Sequence, residues 1–90
     1  MEKIIVSVIG RDRVGIIAAT TKTLSEANVN ILDISQTIMQ DYFTMILVAD
    51  ISNCKVPFSE LKENLRKTGE EIGLQINAQR AEIFDFMHRI

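Results

Sequence analysis

The chain predicts an α+β fold, a four-stranded antiparallel sheet with two helices on one of its faces. Three observations point there. Apolar residues alternate between period-two and three-to-four spacing in the order strand, helix, strand, strand, helix, strand. The two middle strands are separated only by Gln40-Asp41, a gap the size of a hairpin turn. The 90 residues, 47% hydrophobic and 24% charged, suffice for one domain and leave no room for two.

Lys3 to Ile9 reads as the first strand, with Ile4, Val6 and Val8 on one face and Ile5, Ser7 and Ile9 on the other. From Val14 to about Ala27 the pattern is helical, with Ile17, Thr21, Leu24 and Ala27 as its stripe and Asn28 as its stop. Val29 to Gln40 returns to strand, Leu32, Ile34 and Ile38 alternating against Asp33, Ser35 and Thr37. Tyr42 to Ile51 is a third strand, almost continuously apolar from Met45 to Ala49, which suits a central position. After a loop from Ser52 to Val56, Pro57 opens a second helix in its first turn. Phe58, Leu61, Leu65 and Ile72 form the stripe of that helix, with Thr68 between. Gly69 weakens it by roughly 1 kcal/mol relative to alanine, and Gly73 closes it. Leu74, Ile76 and Ala78 alternate with Gln75, Asn77 and Gln79 in a fourth strand. The tail, residues 81–90, places Ile83, Phe86, Met87 and Ile90 on one face of a short helix. Two β-α-β crossovers joined by a hairpin give the split ferredoxin-like sandwich, with its core at about residues 4–79.

Composition excludes several functions. A net charge of −2 weakens a nucleic-acid reading, which usually wants a strongly basic face. The single cysteine, Cys54, permits neither an internal disulfide nor a multi-cysteine metal cluster. No apolar run approaches the ~20 residues needed to cross a bilayer. The apolar patch at the amino end is too short for a signal sequence. A soluble, cytoplasmic protein is expected, without metal or cofactor. No carboxylate pair, His-Cys cluster or nucleophile elbow is present, so the expectation is not an enzyme. His88 and Cys54 have no partners that would make them catalytic.

Two helices cover one side of such a sheet, yet strands one and three are apolar on both sides. Ile5 and Ile9 oppose Ile4 and Val8; Ile46 and Val48 oppose Phe43, Met45 and Leu47. An uncovered face of that kind calls for a cover: the tail helix, a second copy, or both. A homodimer is the favoured expectation, with edge-to-edge strand pairing as the alternative geometry.

The stretch Gly10-Arg11-Asp12-Arg13-Val14-Gly15-Ile16 lies where the first strand gives way to the first helix. Free N–H groups near Gly15, Ile16 and Ile17 and the helix dipole favour an anion there. Asp12 can accept from an ammonium or hydroxyl and would repel a phosphate. Together they match the two ends of a free amino acid. On local chemistry alone Asp12 reads first as the helix N-cap. Arg11 and Arg13 read as solvated, and Asn30 as a turn or bulge residue.

Strand, then Gly10-Arg11-Asp12-Arg13-Val14-Gly15-Ile16, then a helix ending in Asn28-Val29-Asn30-Ile31, resembles the ACT domain over residues 4–79. The whole chain, with its tail Ile83-Phe84 and Met87-His88-Arg89-Ile90, resembles the small stand-alone ACT proteins of bacteria. These are similar to one half of the glycine cleavage system's regulatory repressor. The resemblance implies a non-catalytic regulatory module that binds an amino acid between paired domains and acts on a partner protein. By position it implies a site of Gly10, Asp12, Val14, Gly15, Ile16 and Asn30. Asp12 would meet the ligand's polar end, Gly15 and Ile16 would supply backbone contacts, and Asn30 would reach across from the paired domain. Val14 replaces the proline common at that position, which loosens the loop. Gly10 stands where some serine-binding members have histidine, so serine specificity is not implied.

Three other readings compete. Acylphosphatases share the sandwich, and Arg11 or Arg13 with Asn30 could imitate their arginine and asparagine. RNA-recognition modules share it too, but need several stacking aromatics on the sheet, where only Tyr42 and Phe43 are candidates. A module that binds other proteins without any small ligand is the third.

Overall fold

The computed structural model describes residues 2–82. Its elements are β1 (Lys3–Arg11), α1 (Ile16–Glu26), β2 (Asn30–Met39), β3 (Tyr42–Asp50), α2 (Phe58–Ile72) and β4 (Gln75–Arg80). Neighbouring strands are antiparallel in the order β2-β3-β1-β4. The expected ferredoxin-like arrangement is therefore present, and the apolar β3 lies inside the sheet beside β1. The helix expected over 81–90 falls, from residue 83 on, outside the described residues.

Strand alternation sends Ile4, Val6 and Val8 of β1, and Phe43, Met45, Leu47 and Ala49 of β3, into one core. Ile76 and Ala78 of β4 join them beneath Leu24 of α1 and Leu61 and Leu65 of α2. The three leucines are fully buried, each contributing on the order of 1.5–3 kcal/mol. On the other face Ile5, Ser7 and Ile9 lie in register with Val48, Ile46 and Thr44 on one side. On their other side stand Gln79, Asn77 and Gln75. Ile9 is 47% exposed and Ile46 39%, so this face is open, apolar mainly along β1 and β3, with Met39 of β2 beside Tyr42 at one end.

Several local expectations change. β1 runs to Arg11 rather than Ile9, because Gly10 and Arg11 stay paired with Phe43 and Tyr42. The buried stripe of α1 is Ile16, Thr20 and Leu24, not Ile17 and Thr21, which lie one position round. A threonine can be buried there because its hydroxyl donates to the Ile16 carbonyl oxygen at 2.9 Å. Pro57 is the N-cap of α2, in extended geometry at ψ 153°, instead of a first-turn residue. Leu32 falls at a bulge in β2, which removes it from the alternation that holds for Ile34 and Ile38.

Gly69 has a role that helix propensity misses. A Cβ there would stand 2.6 Å from the Leu74 carbonyl oxygen and 3.1 Å from Ile76 Cγ1. The backbone of α2 thus approaches the start of β4 more closely than any larger residue permits.

Candidate functional site

The loop between β1 and α1 is fastened at three points. The Asp12 N–H donates to the Asp41 carbonyl oxygen at 2.8 Å, tying the loop to the β2–β3 turn. Arg11 pairs with the Asp41 carboxylate at 2.6 Å and lies 5.7 Å from the centre of the Tyr42 ring. Arg13 donates to the Ile72 carbonyl oxygen at 2.9 Å, which sets a cation at the negative end of α2. Both arginines have protein partners while remaining exposed to solvent.

Asp12 does not cap α1. The N-cap is Gly15, at φ 94°, without a side-chain cap hydrogen bond. That left-handed backbone suits glycine, and it starts the helix at Ile16 rather than Val14. The first intrahelical bond runs from the Ala19 N–H to the Gly15 carbonyl oxygen at 2.9 Å. The N–H groups of Ile16, Ile17 and Ala18 precede it and have no helical acceptor. The first turn also lacks an acidic residue. Asp12 is exposed and forms no ion pair among the described residues.

These groups open onto a groove of about 530 Å³. Asp12, Arg13 and Gly15 line it from the loop, Ile16, Ile17 and Ala18 from α1, and Gln36, Ile38 and Phe43 from the sheet. Its chemistry is mixed: donors and a carboxylate at one end, aliphatic and aromatic surface along the wall. Phe43 is 4% exposed, while Ile38 is 58% exposed on the edge strand β2.

A sequence profile of the ACT domain matches residues 2–79. This chain belongs to the ACT domain family. It is 57% identical to a UPF0237 protein of Methanocaldococcus jannaschii, over the whole length of both chains. An ACT domain protein from Streptococcus pneumoniae superposes with a TM-score of 0.81 at 38% identity, over 93% of this chain and 94% of that one. A chain described provisionally as a glycine cleavage system transcriptional repressor gives a TM-score of 0.77 at 20% identity. This chain spans 45% of that one, a likeness of fold with one half of it.

In this ACT domain the loop residues Asp12, Gly15 and Ile16 share the groove, and three other expected residues do not. Val14 is 99% exposed. Gly10 sits in β1 opposite Phe43, where an added Cβ would come 2.2 Å from the end of the Leu74 side chain; it makes room for Leu74. Asn30 lies opposite Asp50, whereas Arg11 lies opposite Tyr42, so within one chain Asn30 and the loop occupy opposite ends of the sheet. The arginine-asparagine pair that an acylphosphatase would need is not assembled. Phe43 is buried and cannot stack a base, which leaves Tyr42 as the one aromatic on the open face among the described residues. Among the described residues no group of three His, Cys, Asp or Glu could hold a metal, and no helix is long and apolar enough to cross a membrane.

Gln36 and Ile38 were not among the expected site residues. Their signal was the Gln40-Asp41 turn, which fixes Ile38 opposite Phe43 and sends Gln36 and Ile38 to the helix-bearing face.

Proposed function

We propose that this ACT domain is a non-catalytic regulatory module of the cytoplasm that binds a small amino acid at a homodimer interface and relays that state to a partner protein. The observation that carries this reading is the uncapped start of α1 beside the exposed Asp12 carboxylate, above an apolar groove. The ligand's carboxylate accepts from the N–H groups of Ile16, Ile17 and Ala18, and its ammonium meets Asp12. A short side chain lies against Ile38 and Phe43.

The separation of Asn30 from the loop supports a two-chain site. If two copies join through their β2 edges in antiparallel fashion, the Asn30 end of one strand stands beside the Ile38 end of the other. Asn30 of a second copy then completes the groove, in line with the role the family resemblance assigns to it. Two grooves form per dimer, related by the two-fold axis.

Calorimetry of the protein against each standard amino acid tests this. Saturable binding of one or a few small amino acids is expected, weakened at least tenfold by Asp12→Ala and by Asn30→Ala. Because Asp12 caps nothing, its replacement should leave thermal stability unchanged. Silence across the whole set from a folded dimer would leave a protein-interaction module without a ligand.

A further inference from the structure

The sheet has a second edge, on β4, at the opposite side from β2. We infer that this edge is a docking strip for an extended segment of a partner protein, which adds to β4 as a fifth strand and sets an acidic side chain against Lys62. The strip shares no residue with the amino-acid groove.

The backbone of β4 favours this. Alternate residues of an antiparallel strand turn both N–H and C=O to one side. Half of the six residues of β4 therefore bond to β1, and the other half face outward. Among the described residues no backbone N–H of Gln75–Arg80 donates to a segment outside the sheet. Open edges of this kind are usually blunted by a proline, a bulge or an inward charge, and otherwise accept a further strand. β4 contains no proline, its register with β1 runs without a shift, and its one charged residue, Arg80, is the last.

Shape and charge select the occupant. A hollow of about 630 Å³ follows the edge, with residues 76–79 as its floor and Ser59, Lys62, Glu63 and Arg66 of α2 as one wall. Their spacing sets these four on one helical face. Residues 59–66 cover about 10 Å of helix, and residues 76–79 about 10 Å of strand. The strip therefore accepts about four extended residues. Arg66 is held by Glu63 and Glu70, and Arg80 by Glu2. Lys62 is exposed and has no acidic partner among the described residues. A strand added to β4 turns every second side chain toward the helix-bearing side, where a carboxylate meets this ammonium. The β4 strand of a second copy supplies no such group, since Gln75-Ile76-Asn77-Ala78-Gln79-Arg80 contains no acid.

Amide exchange and peptide titration of the whole protein, both read by NMR, test the docking strip. In the protein alone, slow and fast N–H groups should alternate along Gln75–Arg80. A soluble peptide of alternating threonine and valine with one central aspartate should slow the fast set. It should also shift the amides of residues 59–66 while leaving those of Ile34 and Ile38 unmoved. Exchanging its aspartate for lysine should weaken binding about threefold, the scale of an exposed ion pair. Lys62→Glu should reverse that preference, with unshifted core signals at Ile4 and Leu61 as proof of folding. Uniformly slow β4 amides in the protein alone would overturn the inference, since a second copy or another part of the chain would then hold the edge. Shifts confined to β2, equal binding of the two peptides, or no β4 shift at millimolar peptide would overturn it too.

Discussion

Arg13 donates a 2.9 Å hydrogen bond to the carbonyl oxygen of Ile72, fastening the loop of the candidate site to the end of α2. A guanidinium there satisfies a helix-terminal carbonyl and complements the dipole. Replacing Arg13 by alanine should lower stability by only about 1 kcal/mol, because the bond is exposed. Its larger effect should fall on the loop. Amide exchange at Val14 and Gly15 should accelerate, while exchange in β1 stays slow. Unchanged loop exchange would show that the Asp12–Asp41 bond suffices to hold the turn.

Gly69 sets propensity against packing. In an exposed helix, alanine would be favoured over glycine by about 1 kcal/mol. Here its Cβ would meet the Leu74 carbonyl oxygen at 2.6 Å, a backbone atom that cannot swing away. Gly69→Ala should therefore destabilise the protein by ~1–3 kcal/mol in urea denaturation, the range for overpacking a core. A gain in stability would mean that α2 can lift from β4 at little cost.

The sequence showed element order, the central place of β3, the turn at Gln40-Asp41 and most of the core, because each rests on local period and a single hairpin. Asn28 was legible as a helix stop, and it takes φ 62°. What stayed hidden depends on contacts between distant segments. Nothing local distinguishes Gly69 as a close-approach glycine, or Gly10 as room for Leu74. The phase of the α1 stripe turned on Thr20, whose burial is allowed only by its bond to Ile16. In the site, the loop was legible from its glycines and charges, but Gln36 and Ile38 reach it only through the register of β2. The N-cap reading of Asp12 failed because Gly15 starts the helix three residues later.

Asp50 offers a pH readout away from the site. Its carboxylate accepts from the Ser52 hydroxyl at 2.6 Å and from the Ser52 N–H at 2.9 Å. These bonds hold its pKa below the ordinary value, the hydroxyl contributing most. A lowered folded-state pKa gives stability that is fully present above the unfolded value and lost as pH falls through the folded one. Thermal stability should thus decline as the pH drops below about 4, and Asp50→Asn should flatten that decline. An acid limb unaltered by Asp50→Asn would assign it to other carboxylates, such as Glu63, whose pKa is lowered first by its bond to Arg66.

Ile34 is 42% exposed on the helix-bearing side of the β2 edge, and Ile46 is 39% exposed on the opposite face. The two positions separate the ways in which copies could pair. Ile34→Lys puts a charge beside the proposed β2–β2 seam and should weaken the dimer at least tenfold, about 1.4 kcal/mol. Ile46→Lys lies away from that seam and should leave the dimer intact. Sedimentation equilibrium reads both directly, and Ile34→Lys should lose amino-acid binding together with the dimer, since Asn30 is then withdrawn from the groove. If Ile46→Lys dissociates the dimer and Ile34→Lys does not, pairing is face to face through the sheet, and Asn30 has no part in the neighbouring site.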